Sequence, residues 1–146
     1  MTEQPVEILF VEDNPHDVEM TMRALRKHNL VNRMLHVGDG AAALDYLFAR
    51  GAYEGRNIEE IPRAVFLDLK LPKVDGIEVL RAIKSDERLR EVPVVIITSS
   101  AEERDRVESY RLGVNSYIVK PIVFESFART IAEVGYYWVA VNRSAR

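Results

Sequence analysis

Cysteine is absent from the 146 residues, which excludes disulfide bridges, thiolate metal centres and cysteine nucleophiles. Long apolar runs are missing too. None approaches the roughly 18 residues of a membrane span, and no charged-then-apolar leader opens the chain, so a cytoplasmic protein without membrane contact is expected. Positive charge is not in excess. A formal net charge of −3 argues against a nucleic-acid partner, whose footprint is normally a basic face. Histidine is scarce, and His16, His28 and His36 read as surface or packing residues, because no two stand with a carboxylate at metal-ligand spacing. There is no internal repeat, low-complexity tract or interdomain linker. A hydrophobic content of 47% with 29% charged residues is ordinary for a globular protein, and the length predicts one domain over 1–146. Its core runs over about 6–138 and a short C-terminal tail follows.

Short, β-branched apolar runs alternate with helical patterns. Ile8-Leu9-Phe10-Val11, Met34-Leu35-His36-Val37, Ala64-Val65-Phe66-Leu67, Val94-Val95-Ile96-Ile97 and Tyr117-Ile118-Val119 read as strands, most of them buried on both faces. Between them, Asn14-Pro15 caps and starts a helix lined by Val18, Met22 and Leu25. A second helix follows Asp39 with Ala43, Leu44 and Leu47 inward, and a third follows Asp75 and buries Ile77, Leu80 and Ile83. A fourth opens with Ser100 and Glu103 at capping-box spacing, closes at Gly113, and has Val107, Tyr110 and Leu112 as its apolar anchors. A fifth begins near Ile122 with Phe124, Phe127, Ile131, Val134 and Trp138 along one side. This β-α alternation predicts an α/β fold with a parallel sheet covered by helices on both faces. The one irregular stretch is 51–62, longer than the usual connection of about 2–6 residues.

Charged or hydroxyl residues stand where these strands end: Glu12 and Asp13, Asp68, Thr98, and Lys120. In open α/β sheets ligands bind beyond the carboxyl ends of the strands. Three carboxylates, a hydroxyl and an ammonium therefore converge on one small site. Carboxylates this close repel one another, and a hard divalent cation with oxygen ligands relieves the repulsion. Such a cation also neutralises an approaching phosphoryl group, so that an Asp68 oxygen can act as nucleophile and form an aspartyl phosphate. Thr98 offers a hydroxyl and Lys120 a point charge to the phosphoryl oxygens.

With these residues in place, the chain resembles a response-regulator receiver domain of two-component phosphorelay signalling. The matching pieces are Glu12-Asp13, Asp68-Leu69-Lys70-Leu71-Pro72 with Asp75-Gly76, Thr98, and Lys120-Pro121, in order, over about Val6 to Val134. The resemblance implies a flavodoxin-like (βα)5 doubly wound parallel sheet with strand order 2-1-3-4-5. It implies Asp68 as phosphoacceptor for a sensor histidine kinase. Mg²⁺ would be held by Asp13, Asp68 and the Lys70 backbone carbonyl, with Glu12 acting directly or through water. Thr98 and Lys120 would bind the phosphoryl group, Tyr117 would be the switch aromatic paired with Thr98, and the bond before Pro121 would be cis. Lys70 and Ser100 occupy the positions that tune acyl-phosphate lifetime; Lys70 either shields the phosphoryl group or points into solvent. The mechanism implied is a population shift between two conformations, not enzymatic turnover of an outside substrate.

The longer 51–62 connection, the Glu-Asp-Asn-Pro start and an aromatic C-terminus resemble the small regulators paired with phytochrome-type histidine kinases. Tyr136, Tyr137, Trp138, Val139 and Val141 exceed what one buried helix face needs. A homodimer through the helix 4–strand 5–helix 5 face is the expectation. A phosphorelay intermediate or phosphate sink would use the same site. A haloacid-dehalogenase-like phosphohydrolase would want an Asp-x-Asp pair after its first strand, and an FMN carrier a Ser/Thr/Gly-rich phosphate loop there; this chain has neither.

Overall fold

Strand β1 (Ile8–Val11) is an inner strand of a five-stranded sheet. In a computed structural model of the protein, residues 8–27, 34–98, 101–114 and 116–120 are described, apart from the side chains of residues 24, 25 and 109. The remaining strands are β2 (Met34–Val37), β3 (Ala64–Asp68), β4 (Val94–Thr98) and β5 (Ser116–Val119). All pair in parallel, in the order β2-β1-β3-β4-β5. The flavodoxin-like α/β order is the expected one. Every residue of β1, β3 and β4 is buried, as the unbroken apolar runs require for strands covered on both faces, whereas the flanking β2 and β5 are only partly buried.

The register decides what stands beside what at the sheet's carboxyl edge. Val11 pairs with Leu67, Asp68 with Ile97, and Thr98 with Val119. Backbone bonds carry the alignment one residue beyond the strands: Glu12 N donates to Val37 O, Leu69 N to Ile97 O, and Lys120 N to Thr98 O.

Helix α1 (Pro15–Lys27) starts where its sequence says it should. The Asn14 side chain accepts from the backbone of His16 and Asp17, satisfying two of the first-turn donors, and proline fills a position whose N–H would be unpaired anyway. Helix α2 (Gly40–Leu47) is capped by Asp39 and buries Ala43 and Leu47, with Leu44 half-buried against the same core. Helix α3 (Gly76–Ser85) is capped by Asp75 and buries Ile77, Val79, Leu80 and Ile83. Each such leucine or isoleucine contributes about 1.5–3 kcal/mol of burial. At the start of α3 the helix backbone presses on the end of β3. A Cβ on Gly76 would lie 2.4 Å from the Asp68 carbonyl oxygen and 2.6 Å from Leu69 Cα.

Helix α4 (Ala101–Ser109) is shorter than its sequence suggests. Gly113 is not its terminating residue: the backbone turns left-handed at Arg111 (φ 52°), and Tyr110 and Arg111 close the helix with tighter i→i−3 bonds. Val107 is fully buried, as expected, but Tyr110 is no core anchor. Its ring is 43% exposed and lies under the Arg81 guanidinium, an amphipathic placement that a hydrophobicity count cannot distinguish from burial.

The 51–62 stretch is ordered by specific contacts. It opens with a single 3-10 turn at Gly51–Tyr53, and Tyr53 meets Tyr46 edge-on. Arg88 clamps the stretch, donating to the Ile58 carbonyl and to the Leu47 carbonyl at the end of α2, both at 2.7 Å. Ser100, Pro121 with its expected cis bond, the fifth helix and the C-terminal aromatics lie outside the described residues.

Candidate functional site

The strand ends converge as their register dictates. Asp68, Thr98 and Glu12 are buried there although all three are polar, an arrangement that needs partners or a ligand. Lys120 supplies the cationic partner. Its Nζ lies 2.9 Å from Asp68 Oδ2, 2.8 Å from Asp17 Oδ2 and 3.3 Å from Glu12 Oε1. Burial would depress the ammonium's pKa, but hydrogen bonds to Asp17 and Asp68 and the charges of Asp68 and Glu12 raise it above its ordinary value. Lys120 is therefore a fixed positive charge at neutral pH.

One ammonium does not balance this many acids. Glu12, Asp13 and Asp68 each present an oxygen, all within 4.8 Å of one another. The Glu12 carboxyl is pushed up to about 8, first by burial and then by hydrogen bonding to and repulsion from Asp68, against a lowering pull from Lys120. Glu12 Oε2 accepts from Asn14 N, but Oε1 is buried with no hydrogen-bond partner. A buried oxygen with no hydrogen bond, facing two more carboxylates and sharing its nearby counter-charge, Lys120 at 3.3 Å, with Asp17 and Asp68, fits a hard divalent cation.

Asp68 itself is oriented by its own chain: Oδ1 accepts from the Lys70 N–H and Oδ2 from Lys120. Lys70 points its ammonium outward, 75% exposed, and pairs with Glu103. Tyr117 on β5 is half-buried, its hydroxyl pKa raised by burial, with the Arg104 guanidinium 5.0 Å above its ring. His36 stays outside the cluster's side chains. Its ring bonds the Glu12 carbonyl and packs against Phe10, in line with a packing role.

Two residues of the cluster escaped the sequence reading. Asp17 is buried in the first turn of α1 and holds Lys120; Glu103, in the first turn of α4, accepts the Thr98 hydroxyl at 2.6 Å. The available signal was positional. A helix that begins directly after a sheet's carboxyl edge can swing a first-turn acid back over that edge, and both are first-turn acids.

The response regulator receiver domain model matches residues 8–132. The chain belongs to the response regulator receiver family. Among relatives of this receiver, the "Probable methanogenesis regulatory protein FilR2" of Methanothrix harundinacea is 46% identical, covering 97% of this chain and 89% of its own. Response regulator Rcp1 of Synechocystis sp. is 34% identical over 92% of this chain and 90% of its own. Among solved structures, the bacteriophytochrome response regulator RtBRR superposes with a TM-score of 0.81 at 49% identity, covering 90% of this chain and 79% of its own. The Mn²⁺-bound form of Rcp1 gives 0.75 at 34% identity, covering 92% and 94%. The phosphorylated cyanobacterial phytochrome response regulator RcpA gives 0.77 at 35% identity, covering 94% and 96%. The receiver is thus close to regulators of phytochrome signalling and part of the two-component class. Among its described residues, no helix is long and apolar enough to cross a membrane.

Proposed function

We propose that this receiver is a phosphorylation-controlled interaction module, with Asp68 as the phosphoacceptor for a partner histidine kinase. In the transfer an N–P bond of a kinase phosphohistidine breaks, its electron pair returns to the imidazole nitrogen, and an O–P bond to an Asp68 carboxylate oxygen forms. The observation that carries this reading is the convergence on Asp68 of Lys120, 2.9 Å away, and of an acid trio with oxygens within 4.8 Å of one another. Glu12 Oε1, buried without a hydrogen bond, supports a resident divalent cation. The kinship with an Mn²⁺-bound and a phosphorylated regulator points the same way.

Mg²⁺ is the ion assigned, held by Asp13, Asp68 and the Lys70 backbone carbonyl, with Glu12 direct or through water. Bound there, it neutralises charge as the anionic group meets the carboxylate. Lys120 stays charged and takes one phosphoryl oxygen, and the Thr98 hydroxyl takes another. Tyr117 follows Thr98 inward as the switch aromatic. Full switching from 1:99 to 99:1 requires about 5.5 kcal/mol of preference for the active conformation. Lys70 and Ser100 flank the phosphoryl position and set its lifetime.

The output is binding, with no turnover of an outside substrate. Likeness to RtBRR, Rcp1 and RcpA supports a phytochrome-type kinase in the cytoplasm as the donor. Exposed Tyr110 and Val119 support self-association through α4, β5 and the fifth helix expected from the sequence. The test is incubation with acetyl phosphate and Mg²⁺, followed by intact mass. A Mg²⁺-dependent gain of one phosphoryl group, labile in base and absent from Asp68→Asn, is expected. Equal labelling of Asp68→Asn would overturn the assignment.

A further inference from the structure

Thr98 has one hydroxyl proton, and it is already committed. It is donated at 2.6 Å to Oε2 of Glu103, whose other oxygen lies 3.3 Å from Lys70 Nζ. Two magnitudes rank these contacts. The Lys70 pair is mostly in water, with that side chain 75% exposed, and such pairs contribute little. Thr98 is fully buried and the Glu103 side chain only 16% exposed, so the hydroxyl–carboxylate bond is short, charge-assisted and poorly screened.

A hydroxyl donates to one acceptor at a time. An anionic phosphoryl group on Asp68 asks for the same proton, and its charge is repelled by the Glu103 carboxylate nearby. We infer that Glu103 is an internal competitor for the phosphoryl group. It is a positioning residue that holds the Thr98 hydroxyl in the unmodified receiver and weakens capture of the anion at Asp68. The inference rests on the reading of Asp68 as phosphoacceptor and Thr98 as its partner. Glu103 also has a mechanical setting. It lies in the first turn of α4, and its neighbour Arg104 covers the Tyr117 ring at 5.0 Å. Losing the Thr98 bond therefore loosens the same helical turn that rests on the switch aromatic. Among the described residues, the fully buried apolar residue of α4 is Val107, one turn further on.

A purely structural role has a different signature. Glu103→Gln keeps the side chain's shape and an acceptor oxygen while removing the charge. The probe is beryllofluoride with Mg²⁺, its dissociation constant measured by titration calorimetry. The proteins are the wild type, Glu103→Gln, Glu103→Ala, Thr98→Ala, the Thr98→Ala/Glu103→Gln pair and Asp68→Asn. The expected result is binding about five- to tenfold tighter in Glu103→Gln, with Glu103→Ala moving the same way. In the Thr98→Ala background the gain disappears. Unchanged or weaker binding by Glu103→Gln, beside a wild type that binds, overturns the competitor role. So does a gain that persists without the Thr98 hydroxyl, since the effect then runs through bulk charge alone. Failure of the wild type to bind, or binding undiminished in Asp68→Asn, would instead overturn the phosphoacceptor reading beneath it.

Discussion

Replacing Lys120 with methionine keeps an unbranched side chain only one atom shorter and removes its charge, which isolates the electrostatics of the site. In the structure this ammonium lies within 3.3 Å of oxygens on Asp17, Asp68 and Glu12, whose side chains are only 10%, 5% and 0% exposed. Removing one partner of a buried ionic group typically costs about 3–5 kcal/mol, because the other charge stays desolvated and unpaired. One of the three acids relieves itself. Glu12 already titrates at about 8, and losing the lowering pull of Lys120 moves it further up, so it is protonated at neutral pH. Asp17 and Asp68 remain, which places the loss at the lower end, about 3 kcal/mol at pH 7.5 without divalent cations. One rescue follows from the same picture. Millimolar Mg²⁺ restores stability by binding the folded form alone. Urea denaturation with and without Mg²⁺ reads both the loss and the rescue. A loss below about 1 kcal/mol, or a deficit indifferent to Mg²⁺, would refute the claim that Lys120 neutralises a buried acid cluster.

Mg²⁺ affinity should rise with pH up to about 8 and then level, because a Glu12 held protonated up to about 8 must release its proton to serve as a ligand. Calorimetry in two buffers of different ionisation enthalpy should detect up to one proton released per ion below that pH, and none well above it. Without metal the same group makes the folded state bind more protons than the unfolded chain between the ordinary 4.5 and about 8, so metal-free stability declines across that window. Gly76→Ala should cost about 1–3 kcal/mol by overpacking and slow phosphorylation from acetyl phosphate, since the added carbon meets the Asp68 carbonyl at 2.4 Å. Urea midpoints and timed mass spectra check both effects.

Glu12, Asp68, Thr98 and Lys120 were legible because each follows directly on an apolar run, with Asp13 one residue on, and parallel pairing lines up such strand ends without further information. Helix starts were legible for an equally local reason: Asn14, Asp39 and Asp75 cap the backbone within three residues of themselves. Asp17 and Glu103 were not. Their role depends on the angle at which α1 and α4 leave the sheet, a tertiary quantity that no spacing encodes. The end of α4 was misplaced because Gly113 is the cheaper left-handed residue on propensity, yet the chain already turns left-handed at Arg111, two residues before Gly113 does so as well. Tyr110 misled for the converse reason, since an aromatic ring can satisfy itself on an arginine at the surface. Lys70 remained open from sequence because a long cation's direction is set by its partner, here Glu103, and not by its neighbours along the chain.

The Arg88 clamp fastens the 51–62 excursion, which leads into the amino end of β3, to the end of α2, while Asp68 stands at the other end of that five-residue strand. At about 3.3 Å per residue that strand separates the two by roughly 13 Å of packed, fully covered backbone. A dye or affinity handle attached at Ile58, which stands 37% exposed there, would ride on rigid scaffolding and leave phosphate chemistry at the far rim undisturbed.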